Sequence, residues 1–434
     1  MGLERFFGLA NSLQGYSRRD LWSDATAGLI TAILLVPQGI AFAMLAGLPP
    51  QVGLYASILP MIVYALLGTS RTLSVGPVSV AAIMVASALH ASDGNDIANA
   101  TVLALEGGIF LLVLSALRLG SLVNLISRPV LSGFTSGAAI LIILSQLPHL
   151  IGAPPSLQHT GISALVEIPH YFAQSKLVTL AIGSGSVLAL FLLNRPFEKW
   201  LRILGVGVEA RAAIGKLGPL FVVLVTTFLV SIIPSAQVSI VGPVPSGLPS
   251  LSASFLNSAA WLHLAPSALF IALIGYVESI AIAKALAEKY GQQVNANQEL
   301  VALGAANIAA AFSGTMPVAG GFSRTMVNFA AGAKTQIAAL VTALVIAIAV
   351  MYFAKWFESI PKAALAAIIA VAILPLVDFS GLARWWRDGR ANGVVFLVTF
   401  FSVLLWGIEE GLSLGIVIAL ISRYGFRTTP RPAR

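Results

Sequence analysis

The sequence predicts an all-α polytopic membrane protein, and three observations lead to this fold class. Of the 434 residues, 58% are hydrophobic and only 10% are charged, whereas soluble globular proteins contain about 25% charged residues. Apolar stretches of membrane-spanning length recur from residue 24 to residue 423. These stretches are continuous and rich in Leu, Ala and Ile, without the period-two alternation of a β-barrel. No stretch between them is long enough for a soluble domain.

We predict fourteen hydrophobic segments within one transmembrane domain over 20–425. An interfacial helix over 1–19 precedes it, and a basic cytoplasmic tail over 426–434 follows it. The third and tenth segments are too short, or too often interrupted by Gly and Pro, to cross a hydrocarbon core of about 30 Å unaided. The segments are 24–46, 51–68, 76–89, 96–117, 128–147, 176–194, 216–234, 265–287, 296–313, 321–331, 335–354, 361–377, 393–406 and 408–423.

The distribution of basic residues predicts the orientation. Placing both termini in the cytoplasm puts all 25 Lys and Arg on or near the inner side except Lys176, Lys355 and Lys362. This asymmetry follows the positive-inside rule, so the net charge of +8 reflects topology and does not indicate nucleic-acid binding. We expect a multi-pass protein of the cell membrane, with the bacterial inner membrane as its location.

The chain also has a doubled organisation. Segment 1 contains "LVPQGIAF" and segment 8 contains "GYVESIAIAK". Two segments after each comes a short, interrupted one, opening "SVGPVSV" in the first case and "PVAGGFSR" in the second. The predicted repeats, 20–235 and 262–425, hold seven segments each, and an odd number requires that they be inverted across the membrane. Paired interrupted segments indicate the binding site of a transporter.

The interrupted segments predict an anion site. Non-helical backbone is tolerated at membrane depth only inside protein or beside water. We predict that 71–75 and 315–320 are extended and meet near the midplane, with helices starting near Gly76 and Gly321. Their free N–H groups and positive dipole ends would then face a common point. Pro77 is expected in the first turn of its helix, where its missing N–H costs nothing.

Three polar side chains are candidates for this site. Arg324 either contributes positive charge to it, or snorkels to the interface or tethers the half-helix to neighbouring carbonyls. Ser323 is the better direct ligand, because a hydroxyl and a backbone N–H together suit an oxyanion. Glu278 lies in the middle of segment 8, where desolvation favours its protonated form, so it can carry a proton. The alternative for Glu278 is a structural ion pair with Arg324.

Gln38 and Phe42 are four residues apart and share a helix face. Gln38 offers amide donors to an anion, or alternatively bonds the backbone carbonyl that Pro37 leaves free. Phe42 would form a wall of the site.

Other chemistries have weak support. No zinc-protease, nucleophile-elbow or nucleotide-binding pattern is present, so we predict neither an enzyme nor a metal or cofactor site. Sodium needs several hard oxygen ligands, and Ile282, one turn beyond Glu278, offers none. A proton is therefore the favoured coupling ion.

At these residues the chain resembles the sulfate permease (SulP) family of anion transporters. The matching stretches are "VPQGIAFAMLAGLPPQVGLYASILPMIVYALLGTSRTLSVGPVSVAAIM" (36–84), "SRPVLSGFTSGAAI" (127–140), "ESIAIAKALAEKYGQQVNANQELVALGAANI" (278–308) and "GGFSRTMVN" (320–328). The resemblance implies two inverted repeats of seven segments, with segments 3 and 10 half-helical. A core domain (segments 1–4 and 8–11) would move against a gate domain (segments 5–7 and 12–14) by an elevator-like motion, in a homodimer. It further implies a substrate site lined by Gln38, Phe42, Val75, Gly76, Val78, Glu278, Gly321, Phe322, Ser323 and Arg324.

One departure from the family pattern concerns the end of the chain. The family usually continues into a cytoplasmic STAS domain after segment 14, whereas this sequence stops at "SRYGFRTTPRPAR", so that domain is missing or was removed. The sequence as a whole predicts a secondary active anion transporter. We expect proton-coupled symport of an oxyanion or small carboxylate, such as sulfate, a dicarboxylate or bicarbonate. The alternatives are an uncoupled exchanger, or an anion channel or membrane motor.

Overall fold

The computed structural model is almost entirely helical. It describes residues 9, 12, 13, 15–92, 95–120, 127–154, 168–203, 218–232, 238–290, 292–378 and 380–425. The predicted tail over 426–434 and most of the predicted interfacial helix over 1–19 lie outside these residues.

The elements of the first half precede residue 235. They are α1 (Arg18–Leu45), α2 (Pro50–Tyr55), α3 (Leu59–Leu67), β1 (Val75–Gly76), α4 (Ser79–His90), α5 (Asp96–Ala116), α6 (Arg128–Ile151), α7 (Ile168–Ala173), α8 (Leu177–Ile203) and α9 (Gly218–Ile232).

The second half starts with a 3₁₀ turn, Ser254–Asn257, and a further 3₁₀ turn, Leu374–Leu376, follows α14. Its other elements are α10 (Trp261–Tyr290), α11 (Ala296–Phe312), β2 (Ala319–Gly320), α12 (Phe322–Ala330), α13 (Ile337–Phe357), α14 (Lys362–Ile373), α15 (Gly381–Asp388), α16 (Arg390–Trp406) and α17 (Ile408–Gly425).

The helices agree with a multi-pass membrane protein. Each of the fourteen predicted segments contains helix, and seven helical stretches among the described residues are long and apolar enough to cross a bilayer. Helices α4 and α12 have 12 and 9 residues. At a rise of about 1.5 Å per residue, neither crosses a core of about 30 Å. The prediction that segments 3 and 10 are half-helical is confirmed.

Several helices differ in their bounds from the predicted segments. The first helix begins at Arg18, inside the range predicted for the interfacial helix, because Ser17 and Asp20 form a reciprocal capping box at its start. Segment 2 forms two helices, α2 and α3, because the chain turns at Ala56–Ile58. Helix α3 then begins with a proline in its first turn. The short helix α15 lies between segments 12 and 13, where none was predicted.

The two interrupted segments meet as predicted. Strands β1 and β2 pair antiparallel, with Val75 opposite Gly320 and Gly76 opposite Ala319. The expectation for Pro77 is wrong: Val78 is the N-cap of α4 and is itself extended, at φ −126° and ψ 150°. Pro77 therefore precedes the helix and does not lie in its first turn.

Side chains from neighbouring helices bind the extended backbone near β2. Ser279 accepts a hydrogen bond from the Gly320 N–H at 2.8 Å. Asn307 both accepts from the Val318 N–H and donates to the Val318 carbonyl, each at 2.9 Å. A buried backbone group without a partner is costly, so these side chains make the helix break possible.

The extended backbone before β1 is bound in the same way. The Gln336 amide donates to the carbonyls of Ser70 at 2.6 Å and Leu73 at 3.0 Å. The Asn328 amide donates to the Thr72 carbonyl at 3.0 Å. Because Asn328 and Gln336 belong to the second half of the chain, these bonds also join the two halves.

A buried carboxylate of the second half holds the chain that follows α3. Glu299 is 0% exposed and accepts hydrogen bonds from the Tyr64 hydroxyl at 2.7 Å and the Thr69 hydroxyl at 2.6 Å. It also accepts from the backbone N–H groups of Thr69 at 2.7 Å and Ser70 at 3.1 Å. Four donors compensate the burial of this charge.

A carboxylate of the first half does the same for the turn between α12 and α13. Asp24 is fully buried and accepts from the N–H groups of Lys334 at 2.6 Å and Thr335 at 3.1 Å, and from the Thr335 hydroxyl at 2.6 Å. The Tyr16 hydroxyl donates to it at 2.8 Å. We call this end of the molecule the Asp24 end.

Helices α1 and α10 run in opposite directions. Helix α1 starts at the Asp24 end, whereas α10 finishes there, since the Asn295 N–H just beyond it donates to the Thr69 hydroxyl at 3.1 Å. The chain at Thr69 is close to Asp24 because Gln336, next to Thr335, binds the Ser70 carbonyl. This arrangement is consistent with the predicted inverted repeats.

A close backbone approach between α1 and α2 gives a stability prediction. A Cβ atom at Gly53 would lie 1.8 Å from the Gly39 carbonyl oxygen, so Gly53→Ala must push the two helices apart. Overpacking of this kind costs about 1–3 kcal/mol, and we expect a lower melting temperature in detergent. Gly185→Ala is the matched control, since its Cβ would have no atom within 4 Å. Equal melting of the two variants would contradict the packing.

Candidate functional site

A cavity of about 580 Å³ lies beside the paired strands, and we call it the central cavity. Helices α1, α4, α10 and α12 form one side of it. Helix α6 and the end of α14 with its following 3₁₀ turn form the other side. Eight of the ten residues predicted for the site line it: Gln38, Phe42, Val78, Glu278, Gly321, Phe322, Ser323 and Arg324.

The other two predicted residues lie behind the cavity. Val75 is 0% exposed in β1, and neither Val75 nor Gly76 is among the lining residues. The reason is the Arg324 side chain, whose Nη2 atom is 3.4 Å from where a Cβ of Gly76 would be. The guanidinium covers the strand, so neither Val75 nor Gly76 lines this cavity.

Two helix N-termini point into the central cavity. Neither α4 nor α12 has a side-chain cap, and residues of both first turns, Ser79 and Ser323 among them, line the cavity. The first intrahelical bonds are donated by Ala82 and Thr325, so the N–H groups of 79–81 and 322–324 have no intrahelical acceptor. Such groups, together with the helix dipole, attract anions.

Arg324 is buried and tethers the two interrupted segments. It is 2% exposed, its Nη1 donates to the Pro77 carbonyl and its Nη2 donates to the Ala319 carbonyl at 3.5 Å. The tethering alternative is thus what the contacts show. Among the described residues, Arg324 and Glu278 form no ion pair within 4.0 Å, so the alternative of a structural ion pair for Glu278 is not observed. No carboxylate in the described ranges pairs with the charge of Arg324, which lies close to Gly321.

Three polar side chains face the cavity without a hydrogen-bond partner in the described part of the protein. Glu278 is half-buried, Ser323 is exposed to the cavity, and Gln38 is only 3% exposed. The Gln38 amide does not bond the carbonyl of Ile33, the one freed by Pro37, so that alternative is not observed. All three groups are available to a ligand.

The far wall of the cavity contains apolar residues that sequence reasoning missed. They are Leu131 of α6, Ala372 and Ile373 of α14, and Pro375 and Leu376 of the following turn. The sequence did contain one signal for this wall, Pro375, which lies just after the end of α14. Pro77 and Pro317 lie in the same way next to the breaks in the two interrupted segments. Within the described residues, no group of three or more His, Asp or Glu side chains is placed to hold a metal ion.

Sequence comparison identifies relatives along nearly the whole chain. A family model described as the sulfate permease family matches residues 21–399. Probable sulfate transporter 4.2 of Arabidopsis thaliana is 36% identical over 403 residues, which cover 92% of this chain and 58% of the relative. A probable sulfate transporter of Mycobacterium tuberculosis is 36% identical over 414 residues, covering 94% and 70%. Human solute carrier family 26 member 6 is 33% identical over 433 residues, covering 94% and 56%.

Solved structures share the fold. SLC26A9 aligns with a TM-score of 0.87 and 24% identity over 99% of this chain and 69% of that chain. The transmembrane domain of BicA, a cyanobacterial bicarbonate transporter, aligns with a TM-score of 0.74 and 20% identity over 94% and 98%. The fold is therefore that of an all-α polytopic membrane domain, and the chain spans little more than half the length of its plant and human relatives. By sequence and fold together, the chain belongs to the sulfate permease family.

Proposed function

We propose that the protein is a secondary active anion transporter whose substrate binds in the central cavity. One observation carries this proposal: two uncapped helix N-termini and the unpaired charge of Arg324 converge on a single cavity. The donors at this point are N–H groups, a hydroxyl and an amide, all of which suit oxygen atoms carrying negative charge. The named relatives are transporters and not enzymes, in agreement with the absence of catalytic patterns.

The substrate class is a small oxyanion or carboxylate. The cavity of about 580 Å³ accommodates such an anion with part of its hydration shell. Backbone N–H groups select charge and size, so sulfate, bicarbonate and a dicarboxylate are all candidates. The relatives named as sulfate transporters and the bicarbonate transporter of the same fold support this range.

Glu278 supports proton coupling. It faces the cavity from α10 without a hydrogen bond or an ion pair in the described protein. An intramembrane carboxylate in that setting is expected to take up and release a proton. An anion entering beside an ionised Glu278 would meet like charge, so substrate binding and protonation favour each other. This coupling gives symport of an anion with protons.

The position of the cavity supports an elevator-like motion. Its two sides belong to the predicted core, α1–α5 with α10–α13, and to the predicted gate, α6–α9 with α14–α17. Movement of the core would carry the two half-helices and the anion past the apolar gate wall. We further propose a homodimer in the cell membrane with both termini in the cytoplasm.

Uptake into proteoliposomes tests the function. We expect labelled sulfate, bicarbonate or fumarate to accumulate above its external concentration when the outside is acidic, and a protonophore to abolish the accumulation. Protein-free vesicles are the control. Flux that follows the membrane potential without accumulation would indicate a channel or motor instead. Exchange that ignores the pH gradient would indicate an uncoupled exchanger.

A further inference from the structure

A second cavity lies at the opposite end of α1 from Asp24, where α1 meets α6 and α14. Its volume is about 260 Å³, and we call it the Lys362 cavity. The residues that matter for its chemistry are Met44, Leu45, Gln146, His149, Lys362 and Ile369, all of which line it.

The polar side chains of this cavity are basic or neutral. Lys362 and His149 are both half-buried, and the side chain of neither has a hydrogen-bond or ion-pair partner among the residues that the structure describes. Gln146 is 4% exposed and donates from its amide to the Ser145 hydroxyl at 3.1 Å. The lining residues in the described part of the chain include no Asp or Glu. A half-buried ammonium group without a counter-charge attracts anions.

The backbone that carries Lys362 is anchored. The Lys362 N–H donates to the Ser239 carbonyl at 2.9 Å, and the Val241 N–H donates to the Ile360 carbonyl at 2.9 Å. Ile240 and Pro361 form an isolated antiparallel bridge. The start of α14 is therefore held against the loop that contains Ser239, Ile240 and Val241. This contact fixes the position of Lys362 in the cavity wall.

The Lys362 cavity and the central cavity both lie in the seam between α1 and α14. Helix α1 lines the central cavity with Gln38 and Phe42 and the Lys362 cavity with Leu45. Helix α14 lines them with Ile373 and Ile369, respectively. Four residues are about one helical turn, or about 6 Å, so a thin apolar layer separates the two cavities.

The two cavities extend towards opposite ends of the molecule. The lining of the central cavity follows α12 from Gly321 to Ala330, towards the turn that Asp24 binds. The Lys362 cavity lies where α14 begins and α1 ends. In the predicted topology the Asp24 end is cytoplasmic, so the Lys362 cavity faces the outside.

We propose that the Lys362 cavity is an outer anion-binding site that captures small oxyanions or carboxylates at the entrance of the seam. Lys362 supplies the charge, and His149 and Gln146 supply N–H donors. This inference rests on the proposed function for its role in transport, but the binding itself does not require turnover. Sequence reasoning noticed Lys362 only as an exception to the positive-inside distribution.

The chain contains no cysteine, so one introduced thiol can report the local potential. We would place Met44→Cys in the cavity and treat intact cells with two impermeant methanethiosulfonates, one bearing a sulfonate and one a trimethylammonium group. After each rate is divided by that of the same reagent with a free thiol in solution, we expect the anionic reagent to be favoured by about tenfold, the scale on which a focused field changes association rates. Lys362→Gln should remove most of this preference, and Lys362→Arg should preserve it.

The controls separate this site from surface charge and from transport. Lys355→Gln removes an exposed lysine outside the cavity lining and should leave the rate ratio unchanged. Millimolar sulfate should slow the anionic reagent in the Met44→Cys protein but not after Lys362→Gln. An unchanged ratio in Lys362→Gln, or no modification from outside, would overturn the proposal. The assay needs no uptake. A protein that shows the expected ratio of modification rates but transports no anion would therefore contradict the proposed function and not the Lys362 site.

Discussion

Replacing Glu278 by glutamine is expected to abolish anion accumulation driven by an inward proton gradient. Glutamine preserves the size of the side chain but cannot take up a proton. Glu278 has no hydrogen-bond or ion-pair partner in the described protein and lines the central cavity, so the substitution breaks no structural contact. Because glutamine has nearly the same shape as glutamate, the packing of α10 should be unchanged. The loss should therefore appear in transport and not in the melting temperature.

The measurement compares two assays on the same proteoliposomes. Accumulation under a pH gradient should fall to the level of protein-free vesicles. Tracer exchange, with the same anion at equal concentration on both sides, should persist because a permanently neutral residue 278 mimics the proton-loaded state. Wild-type accumulation in the Glu278→Gln protein would contradict proton coupling at this residue.

Glu106 provides a matched control in another helix. It lies in α5, has one buried carboxylate oxygen without a hydrogen-bond partner, and does not line the central cavity. We expect Glu106→Gln to retain coupled accumulation. If Glu106→Gln loses it while Glu278→Gln retains it, the coupled proton is carried at α5 and the assignment to Glu278 is wrong.

The parts of the fold that follow from local sequence were predictable. Hydrophobic segments and Gly/Pro interruptions depend on a few neighbouring residues, so the helix within each hydrophobic segment and the extended stretches before α4 and α12 could be predicted directly. The break in segment 2 was missed because its turn, Ala56–Ile58, is as apolar as the helices around it.

The contacts that join the halves were not predictable. Glu299 binds Thr69 and Asp24 binds Thr335, pairs that are 230 and 311 residues apart. A single carboxylate near a helix start looks the same in sequence whether it caps its own helix or binds a distant turn. These two residues were therefore not singled out, although each is fully buried.

The candidate site shows the same limit. Symmetry and the resemblance to the sulfate permease family pointed to most of the polar residues that line the central cavity. They could not show that the Arg324 side chain folds back over Gly76, because its direction depends on the carbonyls of Pro77 and Ala319. The wall at Leu131 and Ile373 depends on how the two sides pack, which no local pattern encodes.

Arg324 has two possible contributions, and a pair of substitutions separates them. Its hydrogen bonds to the Pro77 and Ala319 carbonyls tether the interrupted segments, and its charge makes the central cavity positive. Arg324→Lys keeps the charge but loses the planar fork that reaches both carbonyls. Arg324→Met is similar in length and loses both. Hydrogen bonds from charged groups contribute about 1.5–3 kcal/mol each, so both variants should melt at lower temperature than wild type.

Anion affinity should distinguish the two variants, because only one of them retains the charge. A unit charge about 8 Å from an anion, at an effective dielectric constant of about 20, contributes about 2 kcal/mol, or about 30-fold in a binding constant. We expect the half-saturation concentration for tracer exchange to rise by about that factor in Arg324→Met and by only a few-fold in Arg324→Lys. Equal losses in the two variants would show that Arg324 acts only as a tether. The anion would then be held by the N–H groups of 322–324 and 79–81 without help from the guanidinium.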